Sequence, residues 1–86
     1  MATFEGTIKE ITDVKEFPNS KLIEVVVENN DIKETALFTA FDEKIDNVKK
    51  FKRGDKVEVS YKFTSRENKG RWWLTARLQG IEKAMF

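Results

Sequence analysis

Apolar and polar residues alternate with a period of two over much of this 86-residue chain, which is the pattern of β-strands that bury one face. Turn-forming runs such as Asn29-Asn30-Asp31 separate the alternating stretches. A single stretch has the three-to-four-residue spacing of a helix instead. The pattern predicts an all-β protein with one short helix and with strands near residues 4–11, 21–28, 34–41, 56–65 and 71–83.

The last two predicted strands form a hairpin, with a turn at 66–70 that contains Asn68-Lys69-Gly70. Strand alternation after the turn sends Trp72 and Trp73 to opposite faces. Trp72 shares a face with apolar residues and is expected in the core, whereas Trp73 lies among cations and is expected outside. The core face of the hairpin should hold Val57, Val59, Tyr61, Phe63, Trp72, Leu74, Ala76 and Leu78.

The first three strands show alternation with identifiable irregularities. Gly6 inside a strand indicates a close backbone approach, and Ile11 returns to the face of Ile8 only if a bulge inserts one residue near Lys9-Glu10. Residues 17–20 (Phe-Pro-Asn-Ser) are expected to form a loop, with the Phe17 ring packed beneath it or, as the alternative, exposed. Inward positions of the next two strands are Ile23, Val25, Val27, Ala36, Phe38 and Ala40.

A helix is predicted from the N-cap Asp42 to about Lys52, because Ile45, Val48 and Phe51 recur at helical spacing. Cations at its end favour the helix dipole, and Gly54 suits the residue that follows a helix.

The resulting order is strand, strand, strand, helix, strand, strand. This is the order of the OB-fold, a five-stranded Greek-key barrel with a helix between strands 3 and 4, and 86 residues suffice for one such domain spanning 1–86. An SH3-like barrel is the alternative architecture, although it does not usually carry a helix at that position.

The composition lacks two of the side chains that enzymes use most often in catalysis. The chain has neither histidine nor cysteine, so it lacks the commonest general base and the thiolate nucleophile. We therefore expect no enzymatic activity, no metal site and no cofactor. The sequence also lacks a signal-peptide pattern and an apolar run of about 20 residues, from which we expect a soluble cytoplasmic protein with no membrane partner.

Charge is divided unevenly along the chain, although the formal net charge is only +1. Residues 1–43 hold four lysines and ten acids, whereas residues 44–86 hold twelve Lys or Arg and five acids. This division indicates either an electrostatic face suited to a polyanion or two halves that interleave and cancel in the fold.

From Phe41 onward the chain resembles the bacterial single-stranded DNA-binding protein family, and it is similar also to a family of small bacterial OB-fold proteins of about this length. The resemblance rests on Phe41, Lys44-Ile45, Arg53-Gly54, Val57-Glu58-Val59, Ser65-Arg66 and Gly70-Arg71-Trp72. It implies an OB-fold that binds single-stranded DNA with little sequence preference, in DNA replication or a related process, with Phe41 as a stacking aromatic. The chain departs from that family because it has no glycine-rich linker and no acidic tip after Ile81, so recruitment of replication proteins through such a tail is not implied.

Binding a single strand without sequence preference requires rings that stack on bases and cations that contact phosphates. We assign stacking to Phe41 and Trp73. The expected phosphate contacts, of which Lys33 has the weakest support, are Lys33, Lys62, Arg66, Lys69, Arg71 and Arg77.

Each assignment has a structural alternative. Trp73 would also suit a subunit interface in a homo-oligomer, and Phe41 would suit a cap beneath the helix. Arg66 and Arg71, expected to lie near each other, would be silent if they paired with Glu67 and Glu58 in surface salt bridges.

Two other classes of function remain open. A protein-interaction or assembly module would use the outward apolar residues Leu22, Val26 and Leu37. An enzyme would have to rely on carboxylates such as Glu24 and Glu28, for which the sequence offers no paired base. Single-stranded RNA is an alternative ligand, because contacts to its 2′-hydroxyl leave no mark on residue spacing.

Overall fold

The computed structural model describes residues 2–84 and has six strands and one short helix. The all-β prediction is confirmed. The elements are β1 (Ala2–Ile11), β2 (Lys15–Phe17), β3 (Ser20–Asn29), β4 (Glu34–Phe41), α1 (Lys44–Val48), β5 (Lys56–Asn68) and β6 (Arg71–Lys83).

The sheet closes on itself because β1 pairs with two strands. One edge of β1 pairs antiparallel with β5 and the other with β3, and the remaining order is β5-β6-β4-β3-β2. β4 and β6 run parallel and meet at Thr39 and Arg77. No helix among residues 2–84 has the length and apolarity needed to cross a lipid bilayer.

The core lies inside the closed sheet and matches the predicted alternation in β3 and β4. Phe38 is its largest fully buried side chain, and its ring contacts those of Phe4 and Tyr61 at centroid distances of 5.7 and 5.0 Å. The buried apolar residues are Ile8, Ile23, Val25, Val27, Phe38, Ala40, Ile45, Val48, Val57, Val59, Leu78 and Ile81.

The predicted bulge in β1 is confirmed, since the register with β3 shifts between Ile8 and Glu10. Gly6 is confirmed as a close approach, because a Cβ there would overlap the carbonyl oxygen of Glu28. A second bulge was missed. The pairing Ser60 with Gly80 is followed by Tyr61 with Leu78, so Gln79 is the extra residue.

The count of five strands is wrong because the loop before β3 contains a sixth. Lys15–Phe17 pairs antiparallel with Ser20–Leu22 and forms a small hairpin around Pro18 and Asn19. Phe17, expected beneath the loop, is 52% exposed.

The helix is shorter than predicted, with five residues and Glu43 as its N-cap. Asp42 has a positive φ of 46° and binds β3 instead of capping the helix: its backbone N–H donates to the Lys21 carbonyl, and its Oδ1 accepts from the Lys21 N–H. The helix ends at Val48, and Gly54, with φ 96°, shapes the later turn at 52–55. The hydrogen bonds to Lys21 therefore hold Asp42 outside the helix, although the apolar residues that follow it have helical spacing.

The β5–β6 hairpin extends beyond the closed sheet, which overturns the prediction that Trp72 is buried. β1 pairs with β5 only as far as Tyr61, and the one β4–β6 pair is at Arg77. Beyond these positions β5 and β6 pair only with each other among the described residues, and we call residues 62–76 the hairpin arm. Trp72 is 68% exposed because the core does not reach it, and Phe63 and Leu74 are exposed for the same reason.

The turn of the hairpin is also tighter than predicted. Strand pairing continues to Asn68 and Arg71, which leaves Lys69 and Gly70 as the two turn residues. Both have positive φ, 54° and 78°, as a type I′ turn requires.

Candidate functional site

A groove of about 900 Å³ lies between the front of the hairpin arm, the exposed surface of β3 and β4, and the β2–β3 turn. The arm contributes one wall and the end of β4 the floor. The groove brings together four of the residues that the sequence analysis assigned to binding: Phe41, Arg66, Trp73 and Arg77.

Phe41 lies at the end of β4, opposite Leu22 of β3. The two Asp42 hydrogen bonds to Lys21 hold this strand end in place, which fixes the position of the ring. The guanidinium carbon of Arg77 lies 4.6 Å from the Phe41 ring centroid. A cation at that distance is attracted to the ring face, so the two side chains form one flat, positively charged platform.

Trp73 provides a second platform of the same kind on the arm. Its ring is 52% exposed, and the guanidinium carbon of Arg71 lies 4.6 Å from its centroid. Residues two apart on a strand point to the same face, which is why the sequence places this cation beside this ring.

Every charged residue on the front face of the arm is basic. Cross-strand pairs share a face, so the register assigns four cations and no acid to it. We define the front face as Lys62, Thr64, Arg66, Asn68, Arg71, Trp73 and Thr75 of the arm together with Arg77 at its base. Lys69 lies in the turn at its tip.

The suggestion that Arg66 and Arg71 pair with acids is wrong for the described residues. The ion pairs within 2–84 join Lys9 to Glu28, Lys15 to Glu24 and Lys21 to Glu16, and none uses an arginine. Arg66 faces Trp73 across the strands and Arg71 faces Asn68, so both guanidinium groups remain available to an anionic ligand.

Lys33 is not brought to the groove. It lies in the turn between β3 and β4 with φ 58°, beside the pair Asn29 and Glu34, whereas Phe41 lies at the opposite end of β4. The eight residue steps from Lys33 to Phe41, at about 3.3 Å each, place the two positions roughly 26 Å apart along the strand.

Sequence reasoning did not assign Phe17 to the site, yet its exposed ring and Pro18 line the rim opposite the arm. The sequence feature that could have identified Phe17 is an aromatic residue beside a proline in an otherwise polar loop. A third ring therefore faces the groove from the β2–β3 side.

Acids at the groove are compensated locally. Glu24 lies 3.2 Å from the Lys15 ammonium, and Asp42 accepts the Lys21 backbone N–H at 3.1 Å. Glu28, the second carboxylate considered for catalysis, lies 3.4 Å from Lys9. Within residues 2–84 there is no group of three or more acidic side chains arranged to hold a metal ion.

Away from the groove, the pKa of the Glu58 carboxyl is shifted. Glu58 faces Glu5 of β1 and Glu82 of β6. The pKa of Glu58 is raised above its ordinary value by a hydrogen bond with the Glu5 side chain, by partial burial and by the Glu5 charge. Glu58 and Glu82 lie on β5 and β6, but neither they nor Glu5 line the groove.

Comparison with known proteins identifies the family. A family model described as a domain of unknown function (DUF3127) matches residues 3–82. The chain belongs to the DUF3127 family. A search of curated proteins finds none that matches this DUF3127 chain. The match includes every residue that lines the groove, so the groove lies within the DUF3127 domain itself.

Proposed function

We propose that this DUF3127 chain is an OB-fold domain that binds single-stranded DNA with little sequence preference in the groove. The OB-fold proposal is supported by the strand order: with the short β2 set aside, five strands follow a Greek-key path, β1 pairs with two partners, and α1 lies between the third and fourth of the five. OB-folds bind oligonucleotides across the face formed by their second and third strands and the loops beside it. Here those strands are β3 and β4, which form the floor of the groove.

The observation that carries the proposal is the pair of arginine-covered rings. Phe41 with Arg77 and Trp73 with Arg71 each combine a surface on which a base can stack with a cation beside it for phosphate. Stacking is sequence-tolerant because every base has a π-face, and it contributes about 1–3 kcal/mol per base. Such contacts favour a single strand over a duplex, whose bases are already stacked.

The positions of the two rings define a path for the bound DNA strand along the groove. Phe41 is on the floor and Trp73 on the arm, so successive bases would cross from β4 toward the hairpin tip, with Arg66 and Lys69 along the phosphates. On this proposal the protein acts in the cytoplasm, where replication exposes single strands.

The test is a fluorescence-anisotropy titration with labelled single-stranded DNA, single-stranded RNA and duplex DNA of one length. We expect single-stranded DNA to bind more tightly than duplex. Replacing Arg77 by Ala should weaken binding, whereas Lys33→Ala, which removes an equal charge far from the groove, should have little effect.

Two results would contradict the proposal. Equal affinity for single strand and duplex would remove the stacking argument. An equal loss of affinity in Arg77→Ala and Lys33→Ala would mean that binding depends on the total charge of the protein and not on contacts in the groove. Tighter binding of RNA than of DNA would instead support the RNA alternative.

A further inference from the structure

The back of the hairpin arm is an exposed apolar surface whose large side chains do not line the groove. Cross-strand register places Phe63, Ser65, Glu67, Trp72 and Leu74 together on the side opposite the cations, and we call these residues the back face. Phe63 is 60% exposed, Trp72 68% and Leu74 67%. This surface continues the core face of the closed sheet past the point where β1 ends.

The arm is poorly supported as a free structure. It has two strands, and within the described residues neither outer edge is paired beyond Tyr61 and Arg77. An isolated two-stranded hairpin is marginally stable in water, and a hairpin usually needs a packed apolar face to persist. Covering the back face would provide that packing.

The back face is as large as the largest apolar patches that monomeric proteins expose. A large aromatic side chain presents roughly 150–250 Å² in all, so Phe63, Trp72 and Leu74 together expose about 400 Å². Monomeric proteins rarely expose a larger contiguous apolar patch than about 300–600 Å², and such patches are often functional.

We propose that the back face is the dimer interface between two copies of this chain, packed arm against arm about a two-fold axis. Full burial of six large side chains from two copies would remove about 800 Å² from water, and Ser65 and Glu67 of each copy would bring the total toward the lower limit of about 1,200 Å² for stable interfaces. An isologous interface needs a self-complementary patch, which a largely apolar surface with a single charged residue, Glu67, provides. The absence of Lys and Arg from the back face argues against a nucleic acid there.

The one charge on the back face sets the orientation of the two copies. If the two tips pointed the same way, the Glu67 carboxylates would meet and repel. Arms with opposite tip directions keep the two carboxylates apart, and they place Ser65 and Leu74, midway along the arm, near the axis. Both front faces then point outward, so the dimer presents two open grooves.

Sedimentation velocity and light scattering over a range of micromolar concentrations test the inference. The unmodified chain should have twice the 10.0 kDa chain mass. Leu74→Glu should raise the dimer dissociation constant at least about 30-fold, the factor expected for a central interface residue. Trp72→Glu should do the same. The matched control is Leu37→Glu, which places the same charge on another exposed apolar residue, 50% exposed on β4, and should remain dimeric.

A crosslinking experiment tests the orientation. The chain has no cysteine, so Ser65→Cys introduces a single thiol, and a short bismaleimide should join two copies through it. Asn30→Cys, in the β3–β4 turn, should give no crosslink at the same concentration. Circular dichroism checks that each variant folds. A monomeric unmodified chain would overturn the inference, and so would folded Leu74→Glu and Trp72→Glu variants that stay dimeric.

Discussion

Replacing Trp73 by Ala should weaken single-strand binding and leave the fold intact. The ring is already 52% exposed, so truncation removes little buried area. Surface changes usually alter stability by about 0.5 kcal/mol, and loss of the contact with Arg71 adds about 0.5–1 kcal/mol. We therefore expect the free energy of unfolding to fall by about 1 kcal/mol, measured by urea denaturation.

The affinity should change far more than the stability. Deleting a stacking aromatic costs about 1–3 kcal/mol, which corresponds to a 5- to 150-fold higher dissociation constant. Arg71 also loses the ring that orients it, so its phosphate contact should weaken too. The assay is the anisotropy titration with single-stranded DNA at fixed salt.

Trp72→Ala is the matched control, because it removes the same side chain from the other face of the same strand. Its dissociation constant for single-stranded DNA, expressed per groove, should stay within about twofold of the unmodified value. A Trp73→Ala variant that binds as well as Trp72→Ala would refute the stacking role. A Trp73→Ala variant that unfolds would mean that the ring supports the arm and not the ligand.

Three further changes test other parts of the structure. Affinity for a single strand should fall with salt by a slope of about −0.7 per phosphate contacted, and Arg66→Ala should reduce that slope by about 0.7, whereas a salt-independent affinity would exclude phosphate contacts. Gly6→Ala should cost about 1–3 kcal/mol in urea denaturation because the new Cβ overlaps the Glu28 carbonyl, and an unchanged midpoint would refute the close approach. Glu58→Gln should stabilise the fold near neutral pH. A raised pKa makes the native protein bind a proton more tightly than the unfolded chain, so stability falls as pH rises above 4.5 through the raised pKa, and the gain from Glu58→Gln should disappear at low pH.

The all-β architecture could be predicted because alternation reports directly which side of a strand is buried. Ile23, Val25 and Val27 are inward in β3 as their spacing requires. The β1 bulge was also visible, since Ile8 and Ile11 can share a face only if one residue is inserted. The same spacing between Leu78 and Ile81 marks the β6 bulge.

Alternation does not reveal how far the core extends along a strand, and this is why Trp72 was wrongly predicted to be buried. It lies on the same face as Leu78, which is buried, but beyond the ends of the strands that cover that face. Helical spacing failed at Asp42 for a related reason, because hydrogen bonds to the distant Lys21 decide its conformation. The groove was partly predictable: Phe41, Trp73 and the arginines lie on the outward faces of their strands, but Phe17 reaches the rim only through the folding of β2 onto β3.

The most direct test of the proposed function is the fluorescence of Trp73 alone. Trp72→Phe leaves Trp73 as the single tryptophan and keeps an aromatic ring on the back face. Titration with unlabelled single-stranded DNA should quench its emission, saturate with the same dissociation constant as the anisotropy assay, and reverse when salt is added. The reciprocal variant Trp73→Phe should show little change in the emission of Trp72. Saturable DNA binding that leaves Trp73 emission unchanged would place the ligand outside the groove, and no binding at low salt would contradict single-stranded DNA as the ligand.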